Sequence, residues 1–525
     1  MALVVRGRLV PLASDPQVGA DPFGAFRGRV WIGDDGVVAA VTRGGAAGPA
    51  GFEGAPSVDV GSSLVFPGLV DLHNHLAYNT LPLWVEPTRT QPFLHHNHWT
   101  RADSYAGSVT WPAAALVAAA PEALLAYVEA RAIVGGTTTI QGSPPKNRPR
   151  DGWLVRNAED ETWGTGDRNL IYASTLTLPP DDLAERARQM RDRDHPGGGG
   201  REASFIYHCA EGQAGSVVAG EYHHAHRAGC LQRRFVAVHC NAVGREEFGL
   251  WRDQAGAVAW SPFSNLWLYG ATTDVPAAMA EGLKVCLGSD WSPSGTRHVL
   301  GELKVARIVA DQLGWGLSDR DLVQMVTTNP GDALALSWRR QIGRLQPGAI
   351  GDLVVVRAAA QADPFATLVA ATEADVELVV IAGRPRYGQG ALMTAAGAKA
   401  TTTVELAGRR RALALTRSDD PGAPWSWEEV VDRLEEVRAD PKGEVERARN
   451  ALAPWAGRQH DPGAPLRLAL DMPTGIAPVG GLPKDLGRIR VPPLDGLAHD
   501  DRFLDSLPNR GFHGGVLNRL ADFYR

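Results

Sequence analysis

An α/β fold is predicted: a (β/α)8 barrel of the TIM type, a small composite β-sandwich built from both of its flanks, and a C-terminal extension. Three observations predict it. Between about residues 66 and 338, short apolar runs alternate with helical segments, as repeated βα units require. Strand-like pieces without helical period stand on either side of that region. Histidines and an aspartate end several of the apolar runs, as expected where strand C-termini open onto one face. The predicted division is 1–66 and 341–400 for the β-sandwich, 67–340 for the barrel and 401–525 for the extension.

The opening residues carry strands such as Leu3-Val4-Val5 and Arg29-Val30-Trp31-Ile32, joined by turns such as Gly33-Asp34-Asp35-Gly36. Barrel strands are predicted at 69–73, 137–141, 169–176, 204–210, 235–240, 256–261 and 283–289, with helices over 121–134, 181–193 and 217–228 between them. That makes seven, and the eighth has no secure place. Strand character returns in the β-branched runs at 353–356 and 376–381, announced by Gly343-Arg344-Leu345-Gln346-Pro347-Gly348. Residues 425–452 are charged and helix-like, with Ser426 as a cap ahead of Glu428 and Glu429. After Pro454, Pro, Gly and Asp dominate and periodicity fades.

At 525 residues the chain is long enough for two to four domains, and 44% hydrophobic content supplies a core. A net charge of -6 leaves no electrostatic footprint for nucleic acid or an anionic membrane. The start carries Arg6 and Arg8 in an alternating pattern, unlike a signal peptide. The most apolar stretch, 111–134, is broken by Pro121, Glu122 and Glu129, which argues against a membrane span. Four cysteines do not make a disulfide scaffold in a chain of this length. A cytoplasmic protein acting on a small molecule is expected.

The chemistry gathers at strand ends. Leu69-Val70-Asp71-Leu72 runs into His73 and His75, and residues two apart on a strand point to one side. Two imidazoles leaving a strand together begin a divalent metal site, although an isolated HxH pair is more often a surface or core pair. Ser204-Phe205-Ile206-Tyr207 delivers His208, with Glu211 three residues on. Phe235-Val236-Ala237-Val238 delivers His239, Val285-Cys286-Leu287-Gly288-Ser289 delivers Asp290, and Trp260-Ser261-Pro262-Phe263-Ser264-Asn265 leaves a further strand with small polar groups. On a βα barrel His73, His75, His208, Glu211, His239 and Asp290 converge on one face.

These motifs resemble the amidohydrolase superfamily, in its cytosine-deaminase-like and triazine-hydrolase-like branch, over roughly residues 1–390. They are Pro67-Gly68-Leu69-Val70-Asp71-Leu72-His73-Asn74-His75, His208-Cys209-Ala210-Glu211, His239-Cys240-Asn241, Ser261-Pro262-Phe263-Ser264-Asn265 and Leu287-Gly288-Ser289-Asp290. The exit from the barrel, Thr327-Thr328-Asn329-Pro330 followed by residues 343–356, is similar too. The resemblance implies one divalent metal held by His73, His75, His208 and Asp290, with His239 beside its water and Glu211 shuttling protons. Zinc suits three imidazoles and a carboxylate, and iron or manganese is compatible. The implied reaction is hydrolysis of a non-peptide C–N bond, foremost deamination of an amino-substituted heterocycle. Cyclic-amide or imidazolone-type hydrolysis and dechlorination are the alternatives, and a relative that had lost its ligands would be a structural protein. Homo-oligomers are common in the superfamily. Two-metal relatives bridge their ions with a lysine, and no lysine stands between Lys146 and Lys284, which favours one metal.

Other residues are weighed beside these. Cys209 and Cys240 alternate with their histidine neighbours and are expected in the core, and so is Cys286. The insertion after the first barrel strand carries Trp84, Phe93, His95, His96, His98, Trp99 and Tyr105, and loops on that face shape substrate pockets. Trp84, His98, Asn265 and Trp291 are the pocket residues expected. His223, His224 and His226 read as a polar helix face. Trp260, Trp267 and Trp291 stand at strand ends; the family commonly has a histidine at the first and a small residue at the last. This departure points to a pocket for a flat ring or, equally, to bulk packing under a loop.

Overall fold

A computed structural model describes residues 2–13, 24–144, 154–161, 169–175, 177–195, 198–251, 255–416, 424–455, 465–471, 491 and 493–525. Position 176 of a predicted strand and most of the Pro-rich stretch after Pro454 lie outside the described residues. In chain order the strands are β1 (Leu3–Leu9), β2 (Phe26–Ile32), β3 (Val38–Arg43), β4 (Ser57–Pro67), β5 (Leu69–Asp71), β6 (Thr137–Ile140), β7 (Arg156–Asn157), β8 (Ile171–Ser174) and β9 (Ser204–Cys209). There follow β10 (Phe235–His239), β11 (Ala257–Trp260), β12 (Lys284–Leu287), β13 (Leu353–Val356), β14 (Val376–Ile381), β15 (Arg384–Gly388), β16 (Thr402–Leu406) and β17 (Arg409–Leu413).

The central region is α/β with parallel sheets. One sheet has the order β12-β11-β10-β9-β8 and the other β5-β6-β7, with every pairing parallel. β9 and β10 are buried along their whole length, as strands covered on both faces must be. A parallel strand that the sequence pattern does not reveal is β7. Two residues long, it offers no periodicity, yet Thr139 and Ile140 of β6 pair with it. Beyond the last ladder pairs the two sheets meet: Asp290 donates its N–H to the His73 carbonyl at 3.0 Å, and His75 to that of Asp290 at 3.1 Å. The segments after β5 and β12 are therefore pinned to each other, and these carry the first histidines and the aspartate.

Both flanks join in one nine-stranded sheet, ordered β16-β17-β15-β14-β13-β4-β1-β2-β3. β4 is the seam, since Leu64 pairs with Arg8 on one side and Val356 on the other. The flanking strands share one continuous ladder, because β4 offers both of its edges. The sheet also runs past residue 400, since Tyr387 of β15 pairs with Leu413 of β17. The arginines of β17, Arg409 to Arg411, hide its strand character in the sequence.

The predicted helix at 121–134 is observed over Pro121–Val134. The one predicted over 425–452 is two, Trp427–Ala439 and Pro441–Leu452, because Pro441 has no N–H to continue the first. Both pack on Trp111–Ala119, and the first also on Pro121–Val134. Among the described residues no single helix is long and apolar enough to cross a membrane.

Candidate metal centre

Past the end of β5 both imidazoles turn inward, fully buried. The Nε2 atoms of His73, His75 and His208 form a triangle with sides of 3.2, 3.0 and 3.3 Å. Asp290 Oδ1 stands 3.5 Å from His73 Nε2 and 3.4 Å from His75 Nε2. Donors about 2.0–2.1 Å from a tetrahedral ion are separated by edges of about 3.3–3.4 Å. Five of the six edges of this four-atom set thus have the spacing of a tetrahedral cation's donors. The outer ring nitrogens are held as well. His73 Nδ1 lies 2.8 Å from Ser261 Oγ, and His75 Nδ1 lies 3.0 Å from Asp471 Oδ2. A carboxylate only accepts there, so the His75 proton belongs on Nδ1, leaving the Nε2 lone pair for the centre.

Charge agrees with this assignment. Burial, then the neighbouring imidazoles, hold His73 and His208 well below the ordinary histidine pKa, so both are neutral donors. Burial opposes charge on His75, but Asp471 and then Asp290 outweigh it and raise its pKa to about 9. Loading an ion would therefore release a proton. Behind the donors, Asp71 accepts from the Ser289 N–H at 3.0 Å and from Asn74 at 3.2 Å, locking the β5 and β12 ends together.

Beside the donor set sit His239 and Glu211. His239, Cys240, Ala210 and Asp290 all have left-handed backbone, with φ of 67°, 55°, 56° and 59°. Such strain at non-glycine residues clusters where side chains must be aimed. His239 Nδ1 lies 3.0 Å from Asn265 Oδ1, and Asn265 donates to Thr273 at 3.1 Å, which fixes its amide. His239 Nε2 is 3.8 Å from Glu211 Oε1. That oxygen accepts from Tyr269 OH at 2.6 Å, and Trp99 Nε1 donates to the same hydroxyl at 2.7 Å. His96 stands between two carboxylates, 3.4 Å from Glu211 and 3.3 Å from Glu221. Burial resists its charge, yet the two acids raise its pKa to about 10. Burial likewise opposes ionisation of Glu211, but His239 and His96 hold its carboxyl well below the usual range.

A cavity opens over these groups, walled by Trp99 and Trp291, whose ring centroids are 5.4 Å apart, and by His96, Thr175 and Thr177. Of the expected pocket residues, Trp291 lines it and Asn265 reaches it through His239. Trp84 and His98 do not line it. Helix His96–Trp99 puts positions one turn apart on one side, so His96 and Trp99 face inward, while His98 turns to Arg89 and the Leu94 N–H. Trp84 packs on Phe93 in the layer behind. The histidine cluster contributes to the site, but from another of its members. Trp260 and Trp267 are buried away from the cavity, bonded to Thr272 and to the Trp84 carbonyl. The four cysteines are buried and free, and His224 and His226 are exposed on their helix.

Three groups escape sequence reasoning: Asp471, Tyr269 and the inward set of His96. Tyr269 ends the helix that follows Ser261, a placement traceable only afterwards, and Asp471 carries no signal at all.

Residues 200–386 match the model of the amidohydrolase family. The chain carries an amidohydrolase family domain. That match holds His208, Glu211, His239 and Asp290, while His73, His75 and Asp471 lie outside it. The chain is similar to a 5-methylthioadenosine/S-adenosylhomocysteine deaminase of Symbiobacterium thermophilum, at 25% identity over 64% of this chain and 83% of the relative. Among solved structures, an adenosine deaminase from Xanthomonas campestris with bound zinc aligns with a TM-score of 0.53 and 18% identity, over 75% of this chain and 96% of the other. An atrazine chlorohydrolase from Arthrobacter aurescens, complexed with zinc, aligns with a TM-score of 0.55 and 16% identity, over 73% and 94%. Those likenesses are of fold. They span nearly all of the solved chains but about three quarters of this chain.

Proposed function

We propose that this amidohydrolase is a metal-dependent hydrolase, on a closed eight-stranded barrel, that deaminates an amino-substituted heterocycle. One observation carries the reading: three imidazoles and a carboxylate, with five of their six separations at tetrahedral spacing, beside a buried ionised carboxylate. It is supported by deaminases among the relatives and by the two indoles walling the cavity. His73, His75, His208 and Asp290 would hold one divalent ion, for which zinc suits the donors. Bound there, it supplies Lewis acidity and a water of lowered pKa.

The chain's own groups do the rest. With its Nδ1 proton kept by Asn265, His239 presents Nε2 as an acceptor over the cavity. Asp290 is the other acceptor within reach of a water's proton. Glu211, ionised and steadied by Tyr269 and His96, takes that proton and returns it to the ring nitrogen, and the second proton of the water, from the hydroxyl of the adduct, passes to the departing amine. Water adds to the ring carbon, the C–N bond breaks, and ammonia leaves. Trp99 and Trp291 orient the ring and keep bulk water away.

The test is product analysis of the zinc-loaded protein on a panel of adenine nucleosides, guanine and chlorinated triazines. Ammonia release is expected. Chloride or a new carboxylate without ammonia would overturn deamination.

Asp471 is a positioning residue in this scheme. Asp471→Ala is expected to weaken metal affinity by about 10- to 100-fold, measured by competition with a chelator. Asp471→Asn keeps an acceptor for the Nδ1 proton and should fall between. Equal affinity for all three proteins would remove Asp471 from the centre.

A further inference from the structure

A second cavity lies on the far side of the segment that carries Trp291. Ser292, Gly295 and Arg297 wall it, facing residues 81–83 and the C-terminal segment 493–510, and it encloses about 800 Å³ including its open mouth. Four guanidinium groups line it, from Arg131, Arg297, Arg502 and Arg510, against a single carboxylate, Asp500. Leu81, Leu83 and Phe503 supply an apolar wall.

The charges do not cancel. Arg297 is paired with Asp500 and also donates to the Asp495 carbonyl. The other oxygen of Asp500 accepts from the Phe503 N–H at 3.2 Å, capping a helix, so both oxygens of this acid already have partners. Arg131 is only 4% exposed, donates to the Asn79 carbonyl, and has no carboxylate at ion-pair distance among the described residues. The nearby buried acid, Glu373, is engaged by His298 and the Leu497 N–H, both at 3.1 Å. Arg502 and Arg510 stand exposed at the rim. A guanidinium taken out of water without an anion is costly, and its planar fork matches the paired oxygens of phosphate and carboxylate. Burial, opposed by Tyr127, reinforced by Arg297 and opposed again by the more distant Asp500 and Glu373, lowers the pKa of Arg131 to about 10, which still leaves it charged at neutral pH.

We propose that this cavity is a binding site for a small organic oxyanion, a phosphate or carboxylate attached to an apolar or ring-shaped body. The oxyanion sits on Arg131 and the rim arginines, and the body lies against Leu83 and Phe503. The site is separate from the metal centre, because Trp291 and Ser292 face opposite cavities, and it depends on neither the metal nor the reaction proposed above.

Calorimetric titration of the metal-loaded full chain at fixed ionic strength tests it, with inorganic phosphate, phenyl phosphate and benzoate as probes. Saturable binding at one site is expected, at least tenfold tighter for one of the ring-bearing probes than for inorganic phosphate. A preference for phenyl phosphate assigns a phosphorylated ligand, and one for benzoate assigns a carboxylate. Arg131→Met is expected to weaken that binding at least tenfold. Arg510→Ser, at the exposed rim where folding is not at stake, should weaken it several-fold with the melting temperature unchanged. No saturable binding by any probe, or binding that both variants leave unaltered, overturns the proposal.

Discussion

Replacing His73 with alanine is expected to empty the metal centre and abolish turnover while the chain still folds. His73 Nε2 lies within 3.0–3.5 Å of all three partners, so it has a share in half of the tetrahedron's edges. Removing it leaves two imidazoles and one carboxylate, a set that keeps a position open and loses the most rigidly held donor. Elemental analysis after gel filtration should find about one equivalent of metal in the wild type and almost none in the variant. A thermal melt gives the independent reading, since zinc should raise the melting temperature of the wild type alone. Full metal content in His73→Ala would refute the donor set, whatever the activity.

Glu211→Gln is expected to separate chemistry from metal binding. Glutamine has the shape to accept the Tyr269 hydroxyl, 2.6 Å from Glu211 Oε1. It cannot carry a proton. Loss of a proton-transfer group of this kind lowers kcat by about 100- to 10,000-fold. Metal content should stay at the wild-type value, because Glu211 is outside the four-donor set, and KM should change little. A kcat within about threefold of wild type would mean that the proton travels by another route.

Much of the fold and of this centre was legible before any coordinates. Alternation placed His73 and His75 together at a strand end, and the apolar runs before His208, His239 and Asp290 marked further strand ends. What escaped depended on tertiary context. β7 is too short to have a period. The set of His96 follows from the pairing of His95 with Gly212, which ties the insertion to the turn after Glu211 and settles which face of a four-residue helix looks inward. The strands beyond residue 400 hide behind three consecutive arginines. Asp471 is invisible for a simpler reason: a hydrogen bond spanning 396 positions leaves no trace in local pattern.

That span has a consequence for the order in which the protein becomes complete. All four proposed metal donors have been synthesised once the chain passes residue 290, whereas the carboxylate that orients His75 follows about 180 residues later. Until then His75 is free to carry its proton on either nitrogen, and a nascent chain holds an ion less selectively than the finished one. Docking of the late segment, secured by the Thr175 hydroxyl on the Asp471 carbonyl, is the step that commits the ring. Completion of the candidate centre thereby waits on the docking of a segment made well after its four proposed donors.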